Sequence, residues 1–282
     1  MTDQPSAVND LAHRFWEGIL ELNPTTATFY GDERYADRLE DPSPTGRARL
    51  RAHMEHTAAE AAAIPVEGLS TEERITRDML QVIGELGVEE DDHGLHQLRV
   101  VDQMGGPQQL LPQLTAFQPV DTPEHLEAFI GRLQAYPAFM AANADILQEA
   151  LGSGLTAPAI VTERVIAQLE RMLAIPIEEA IIPGSVQGAS DADRERIRDI
   201  VRDVVYPADA AYLEALRGEY RHASREEPGI WSAPNGEEIY RTAIRSWTTL
   251  EMDPAEIHRI GIEELATIDD ERRSIAQAAG FG

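Results

Sequence analysis

A single histidine, His258, lies among five carboxylates in the stretch TTLEMDPAEIHRIGIEELATI, residues 248–268. Histidine and carboxylate together can bind a divalent metal or move a proton, provided that they face the same way. The stretch reads as a helix that begins at Asp253. Asp253 is a good N-cap, Pro254 takes the first helical position, and Glu256 supplies the partner of an Asp-x-x-Glu box. On a helix the neighbours of His258 lie three or four positions away. Those positions are Pro254, Ala255, Gly261 and Ile262, so no carboxylate shares its side. The helix alone is therefore no metal or acid–base site. Ile257, Gly261, Leu265 and Ile268, flanked by Ile260 and Ile275, trace the face expected to be buried. His258 sits beside that face, where it either contributes to a site completed from elsewhere or makes a structural hydrogen bond.

The second candidate is EEDDHGLH, residues 89–96, where His93 and His96 are three apart behind four acids. On a helix that spacing could hold a divalent ion. Gly94 and the turn-like composition point instead to a solvated acidic loop. There is no HExxH, no Gly-rich phosphate loop with its lysine, no dinucleotide fingerprint and no G-x-S-x-G elbow. Trp16, Trp231 and Trp247 are too scattered to define a stacking groove, and at least two are expected in the core. No catalytic residue and no metal ligand is assigned.

Composition narrows the chemistry further. The 282 residues contain no cysteine, which excludes disulfides, thiolate metal sites and cysteine nucleophiles. All 24 basic residues are arginine, against 50 acids, giving a formal charge of -26. Such a surface repels phosphate backbones, so no nucleic-acid partner is expected. No apolar run approaches the roughly 20 residues that cross a bilayer, and the opening MTDQPSAVNDLAHRF has no signal-like pattern. The expectation is a cytoplasmic protein without a membrane partner.

The elements that must position these residues are helices. Strand-type alternation is almost absent, and 3.6-residue periodicity recurs throughout. Val8, Leu11, Phe15, Ile19 and Leu22 share one side of an opening helix, and residues 44–62 form an alanine-rich one. Ser70 with Glu73 offers a capping box, and Thr122-Pro123 starts a helix that Pro137 should kink or break. LRVV, residues 98–101, suggests a short extended piece, and GGP at 105–107 a turn. IPGSVQGAS, residues 182–190, reads as a loop, Ser190 opens a long helix interrupted at Pro207, and two helices follow over about 236–246 and 254–277. No repeat or linker marks a boundary. Residues 1–282 are taken as one partial domain with a sub-lobe boundary near 185.

Gly236, Tyr240, Thr248 and Thr249, followed by MDPAEIHRIGIEELATI, resemble a bacterial family known as domain of unknown function 885, with its run G…YY…TT…LTPEEIHxxGLxEVxRI. LNPTTATFYGDERYADRLEDPSP and GGPQQLLPQLTAFQPVDTPEHLEAFIGRLQAYPAFM are similar to its N-terminal and middle regions. The resemblance implies an all-α, elongated multi-helix array that forms one lobe of a larger, metallopeptidase-like cleft. It further implies a gluzincin-like zinc peptidase about twice this length, whose HExxPGHH-like motif lies after the EIHxxG helix. No residue here matches that motif. The chain is thus expected to be the N-terminal, non-catalytic half, with zinc belonging to the intact protein, the missing C-terminal half as partner and a peptide as substrate. Tyr240 and His258 are the candidates for the cleft wall. Ile239 replaces the first tyrosine of the family's pair. The alternative is a complete helical protein without enzymatic activity, used as an interaction module. The two differ in one visible respect: a half-protein should leave apolar helix faces bare.

Overall fold

Five hydroxyl side chains start helices in this chain, three of them, Ser70, Thr122 and Ser190, as the sequence predicts. Ser6, Ser43, Ser70, Thr122 and Ser190 each accept a hydrogen bond from the backbone N–H three residues on. Such a bond satisfies one of the donors that a helix leaves open at its first turn. Ser70 makes the complete box, since its own N–H donates to Glu73 Oε2 at 2.8 Å.

The computed structural model describes residues 6–186 and 190–281. Among these the chain is all-α, with no strand and one isolated parallel bridge between Pro158 and Arg225. The first four helices are α1 (Ala7–Leu22), α2 (Pro24–Phe29), α3 (Pro44–Ala63) and α4 (Thr71–Asp92). Two short helices follow, α5 (Leu95–Arg99) and α6 (Leu110–Leu114), before the longest, α7 (Pro123–Ser153), and then α8 (Ala159–Ala174) and α9 (Ile181–Ser185). The remainder comprises α10 (Asp191–Ile200), α11 (Tyr206–Ala215), α12 (Arg221–Ala223), α13 (Gly236–Thr248) and α14 (Pro254–Ala278).

The main core lies between α7, α8, α10 and α11. It includes Phe129, Leu133, Tyr136, Leu147, Leu169, Val201 and Leu216, all at most 1% exposed. This cluster draws on residues on both sides of position 185. A smaller cluster joins Leu11 of α1, Ala61 of α3 and Leu80 of α4. A third joins Leu95, Leu155, Ala233 and Ile239, and so ties α13 to the body.

Arg132 of α7 is fully buried and anchors the N-terminal segment. Its Nε donates to the Arg38 carbonyl at 2.8 Å, Nη1 to Gln118 Oε1 at 2.6 Å, and Nη2 to Thr28 Oγ1 and the Pro24 and Tyr35 carbonyls. Burial lowers its pKa to about 10, which leaves the guanidinium charged at neutral pH. One turn beyond Arg132 on α7, Tyr136 donates a 2.8 Å hydrogen bond to Asp209 Oδ1 of α11.

Four expectations fail here for physical reasons. Pro137 neither stops nor splits α7, because residues such as Leu133, Tyr136 and Met140 are buried around it and their packing outweighs one lost backbone bond. Residues 98–101 are not extended: Leu98 and Arg99 end α5, Val100 caps it with its N–H on the His96 carbonyl, and Val100 and Val101 are buried in the core. Pro207 does not end its helix either. The chain enters α11 through a π-helical turn, Val201–Val205, a widened geometry that accommodates a residue lacking an N–H. In the 182–190 stretch the chain forms α9 up to Ser185, while 187–189 lie outside the described residues.

Candidate functional site

The glycine and the two threonines of the 236–268 block are explained by the backbone of α13. A Cβ on Gly236 would stand 1.9 Å from the Ile230 carbonyl oxygen, so no other residue fits where the helix starts against that loop. At the other end the Thr248 hydroxyl donates to the Ile244 carbonyl at 2.6 Å and accepts from the Leu250 N–H at 3.1 Å. Thr249 ends the helix in the left-handed conformation, φ 60°, with its N–H on the Arg245 carbonyl at 2.7 Å.

The last turns of α13 are fastened to the end of α4. Thr242 Oγ1 donates to Glu89 at 2.7 Å, Arg245 pairs with the same carboxylate, and Ser246 Oγ donates to Glu90 at 2.6 Å. Burial alone would raise both carboxyl pKa values. The bonds from Thr242 and Arg245 outweigh it at Glu89, and those from Arg99 and Ser246 outweigh it at Glu90, so both are lowered.

Tyr240 is left over from this scaffolding. It is 42% exposed on α13, and no hydrogen bond or ring contact engages it among the described residues. His258 lies on the next helix, exposed and likewise without a partner. The two side chains are therefore free on consecutive helices, and no contact joins them. The Asp253 cap is present, with its carboxylate accepting from the Ala255 N–H at 2.8 Å, but Glu256 turns toward Arg259 rather than closing the box.

The face of α14 expected to be buried is bare. None of the 25 residues of this helix is buried, and Ile260, Leu265, Ile268 and Ile275 are all exposed. The periodicity was legible, but a stripe shows only that a partner surface is needed, not that this chain supplies it. The tryptophans depart from expectation in the same direction: Trp16 is exposed, and Trp231 and Trp247 are 74% and 85% exposed.

Residues 89–96 are not a loop. Glu89 to Asp92 complete the last turn of α4, and Gly94 at φ 65° reverses the chain into α5, a conformation that glycine adopts without strain. His93 approaches Glu89 at 3.7 Å, whereas His96 Nε2 meets Glu149 Oε2 at 3.2 Å, so the two rings serve different carboxylates. Glu149 also receives two bonds from Arg47 Nη2, at 2.8 and 2.7 Å. Burial and then the Arg47 charge lower the His96 pKa against the pull of Glu149, which makes a neutral ring donating from Nε2. Sequence reasoning missed Arg47 and Glu149 because they are 102 residues apart. Among the described residues no group of three or more His, Asp or Glu is arranged to hold a metal ion. These residues do not fit zinc, and no step through a metal is derived for them.

Comparison with known proteins agrees with the pattern of the 236–268 block. Residues 24–282 match the model of a family described as bacterial protein of unknown function (DUF885), and the chain belongs to that family. No curated protein matches the chain. Among solved structures it is similar to a protein from Colwellia psychrerythraea described as a "putative lipoprotein", with a TM-score of 0.83 and 21% identity. That likeness covers 98% of this chain and 52% of the other. A second, from Shewanella oneidensis and described as a "putative lipoprotein of unknown function", gives a TM-score of 0.68 and 17% identity over 98% of this chain and 48% of its own. At these identities the likeness establishes the fold. The chain spans about half the length of both.

Proposed function

From that family membership we propose that this chain is the N-terminal, non-catalytic half of a zinc-dependent peptidase, where it supplies scaffold and one wall of the substrate cleft. The observation that carries the reading is the bare apolar stripe of α14. Burying a single Leu or Ile side chain is worth roughly 1.5–3 kcal/mol, so a 25-residue helix that keeps Ile260, Leu265, Ile268 and Ile275 in water, with Ile257 only half-buried, lacks its packing partner. The occupant in this reading is the polypeptide that corresponds to the part of the structural neighbours that this chain, spanning 52% and 48% of them, does not cover. A complete, self-contained helical module would have closed that surface, so the alternative reading is disfavoured.

In this arrangement α13 and α14 form the rim on which the second half docks. Tyr240 and His258, free of any structural duty, are the groups left to face substrate or the transition state. Zinc and the glutamate base would come from the other half. The test compares two polypeptides on one peptide library. The full-length protein is expected to cleave it in a chelator-sensitive manner, and residues 1–282 alone are expected to be inert. Chelator-sensitive cleavage by the 282-residue chain, or none by the full-length protein, would refute the assignment.

A further inference from the structure

Away from Tyr240 and His258, a small, partly open pocket of about 50 Å³ lies where α6, α7, α8, α9 and α11 meet. Met172 and Val205 give it apolar walls, and Val205 ends the π-helical turn that leads into α11, a local geometry that recurs at functional sites. Ile175 and Ile181, 37% and 60% exposed, stand where it opens to solvent.

Two acceptors are set into these walls. Gln108, just before α6 and fully buried, donates through Nε2 to the Asp102 carbonyl at 2.8 Å and to Gln168 Oε1 at 3.0 Å. Gln168 in turn donates to the Gln103 carbonyl at 3.1 Å, which fixes the oxygen end of each amide. Gln108 Oε1 is left buried without a hydrogen-bond partner. Asp209 of α11, 3% exposed, accepts from the Tyr136 hydroxyl at Oδ1, and its Oδ2 has no partner among the described residues. A buried acceptor without a donor is costly, and a buried carboxylate without a cation more so. None of the residues that line the pocket is basic, and the chain contains no lysine.

Size narrows what can meet these acceptors. A cavity of roughly 150 Å³ holds benzene, so one of about 50 Å³ takes about two or three heavy atoms. That excludes a guanidinium group and fits the tip of an alkylammonium, which carries three N–H donors. We propose that the pocket binds a primary ammonium group on an alkyl chain, with N–H bonds to Asp209 Oδ2 and Gln108 Oε1, the first carbons against Met172 and Val205, and the remainder leaving past Ile175 and Ile181. The ammonium is that of a free amine or of a lysine side chain in a peptide. The site is built wholly from this chain and stands apart from the peptidase reading.

Methyl NMR of the purified chain, labelled at Met and Ile and held at pH 8 and constant ionic strength, tests this. At that pH the Asp209 carboxyl, raised by burial to about 7, is ionised. Propylammonium is expected to shift the Met172 and Ile175 signals saturably in the millimolar range. Propanol, which lacks the charge, should bind at least about tenfold more weakly. Tetramethylammonium, which has no N–H and more heavy atoms than fit, should leave both signals unmoved. Binding of Nα-acetyl-lysine amide as well as propylammonium would assign the site to a lysine side chain, and binding of propylammonium alone to a free amine. Asp209→Asn, which keeps an acceptor for Tyr136, should weaken propylammonium by about tenfold or more. Propanol or tetramethylammonium matching propylammonium, no shift with propylammonium, or an unchanged affinity in folded Asp209→Asn would each overturn the assignment.

Discussion

Replacing Asp209 by asparagine should make the stability of this protein less sensitive to pH. Asp209 is 3% exposed, and it accepts a hydrogen bond from the Tyr136 hydroxyl at 2.8 Å. Burial raises its pKa from 3.8 to about 7, against the opposing pull of the Tyr136 bond. The folded state thus holds a proton that the unfolded chain releases near pH 4. Because the folded state binds more protons between about pH 4 and 7, the stabilisation is complete below pH 4 and is lost as pH rises through 7. About three units at roughly 1.4 kcal/mol each give a loss of about 4 kcal/mol across that window. Asparagine keeps an oxygen that can accept from Tyr136 and carries no charge, although its amide still has to be desolvated at roughly 1–2 kcal/mol. Asp209→Asn should therefore match the wild type to within about 1–2 kcal/mol at pH 5 and exceed it by about 2–3 kcal/mol at pH 8. Urea unfolding followed by helical circular dichroism at both pH values measures this, and taking the difference between the proteins cancels the titration of other groups. A wild-type-to-variant difference that stays constant from pH 5 to 8 would refute the reasoning.

Other perturbations address the scaffold and the site. Arg132→Met removes a buried cation and orphans the Arg38, Pro24 and Tyr35 carbonyls, so urea unfolding should show a loss of about 3–5 kcal/mol. Ser70→Ala deletes the hydroxyl arm of the α4 capping box, while the backbone N–H arm to Glu73 remains, and should cost about 1 kcal/mol in the same assay. Thr249→Gly relieves a β-branched residue held at φ 60° and is expected to raise stability by up to about 1 kcal/mol in a thermal melt. Zinc titration of the purified chain should detect only weak binding, because its histidines are dispersed; tight stoichiometric zinc would contradict that expectation.

How far the sequence led depended on whether a signal was local. The caps at Ser70, Thr122, Ser190 and Asp253 were legible because each is a backbone bond two or three residues away. Pro137 was misjudged because the local penalty competes with burial that α7 acquires from α10 and α11, invisible in a window of twenty residues. The acidic run at 89–92 was taken for a loop because its composition is polar. What makes it helical is the reversal at Gly94 and the grip of Thr242 and Arg245 on Glu89, from more than 150 residues away. The apolar stripe of α14 was found and its burial was not, since periodicity carries no information about which chain provides the opposite surface. Tyr240 and His258 were picked out from a family pattern, and the structure accounts for the glycine and threonines of that pattern but not for these two.

The central claim is that this chain is half of a larger folded unit. The intact mass of the native protein, isolated from its source and read by mass spectrometry, tests it most directly. A mass near twice 31.2 kDa is the result the account predicts, since the structural neighbours are about twice the length of this chain. A mass of 31.2 kDa would contradict it, leaving α14 bare in the native protein and the peptidase assignment without its catalytic half.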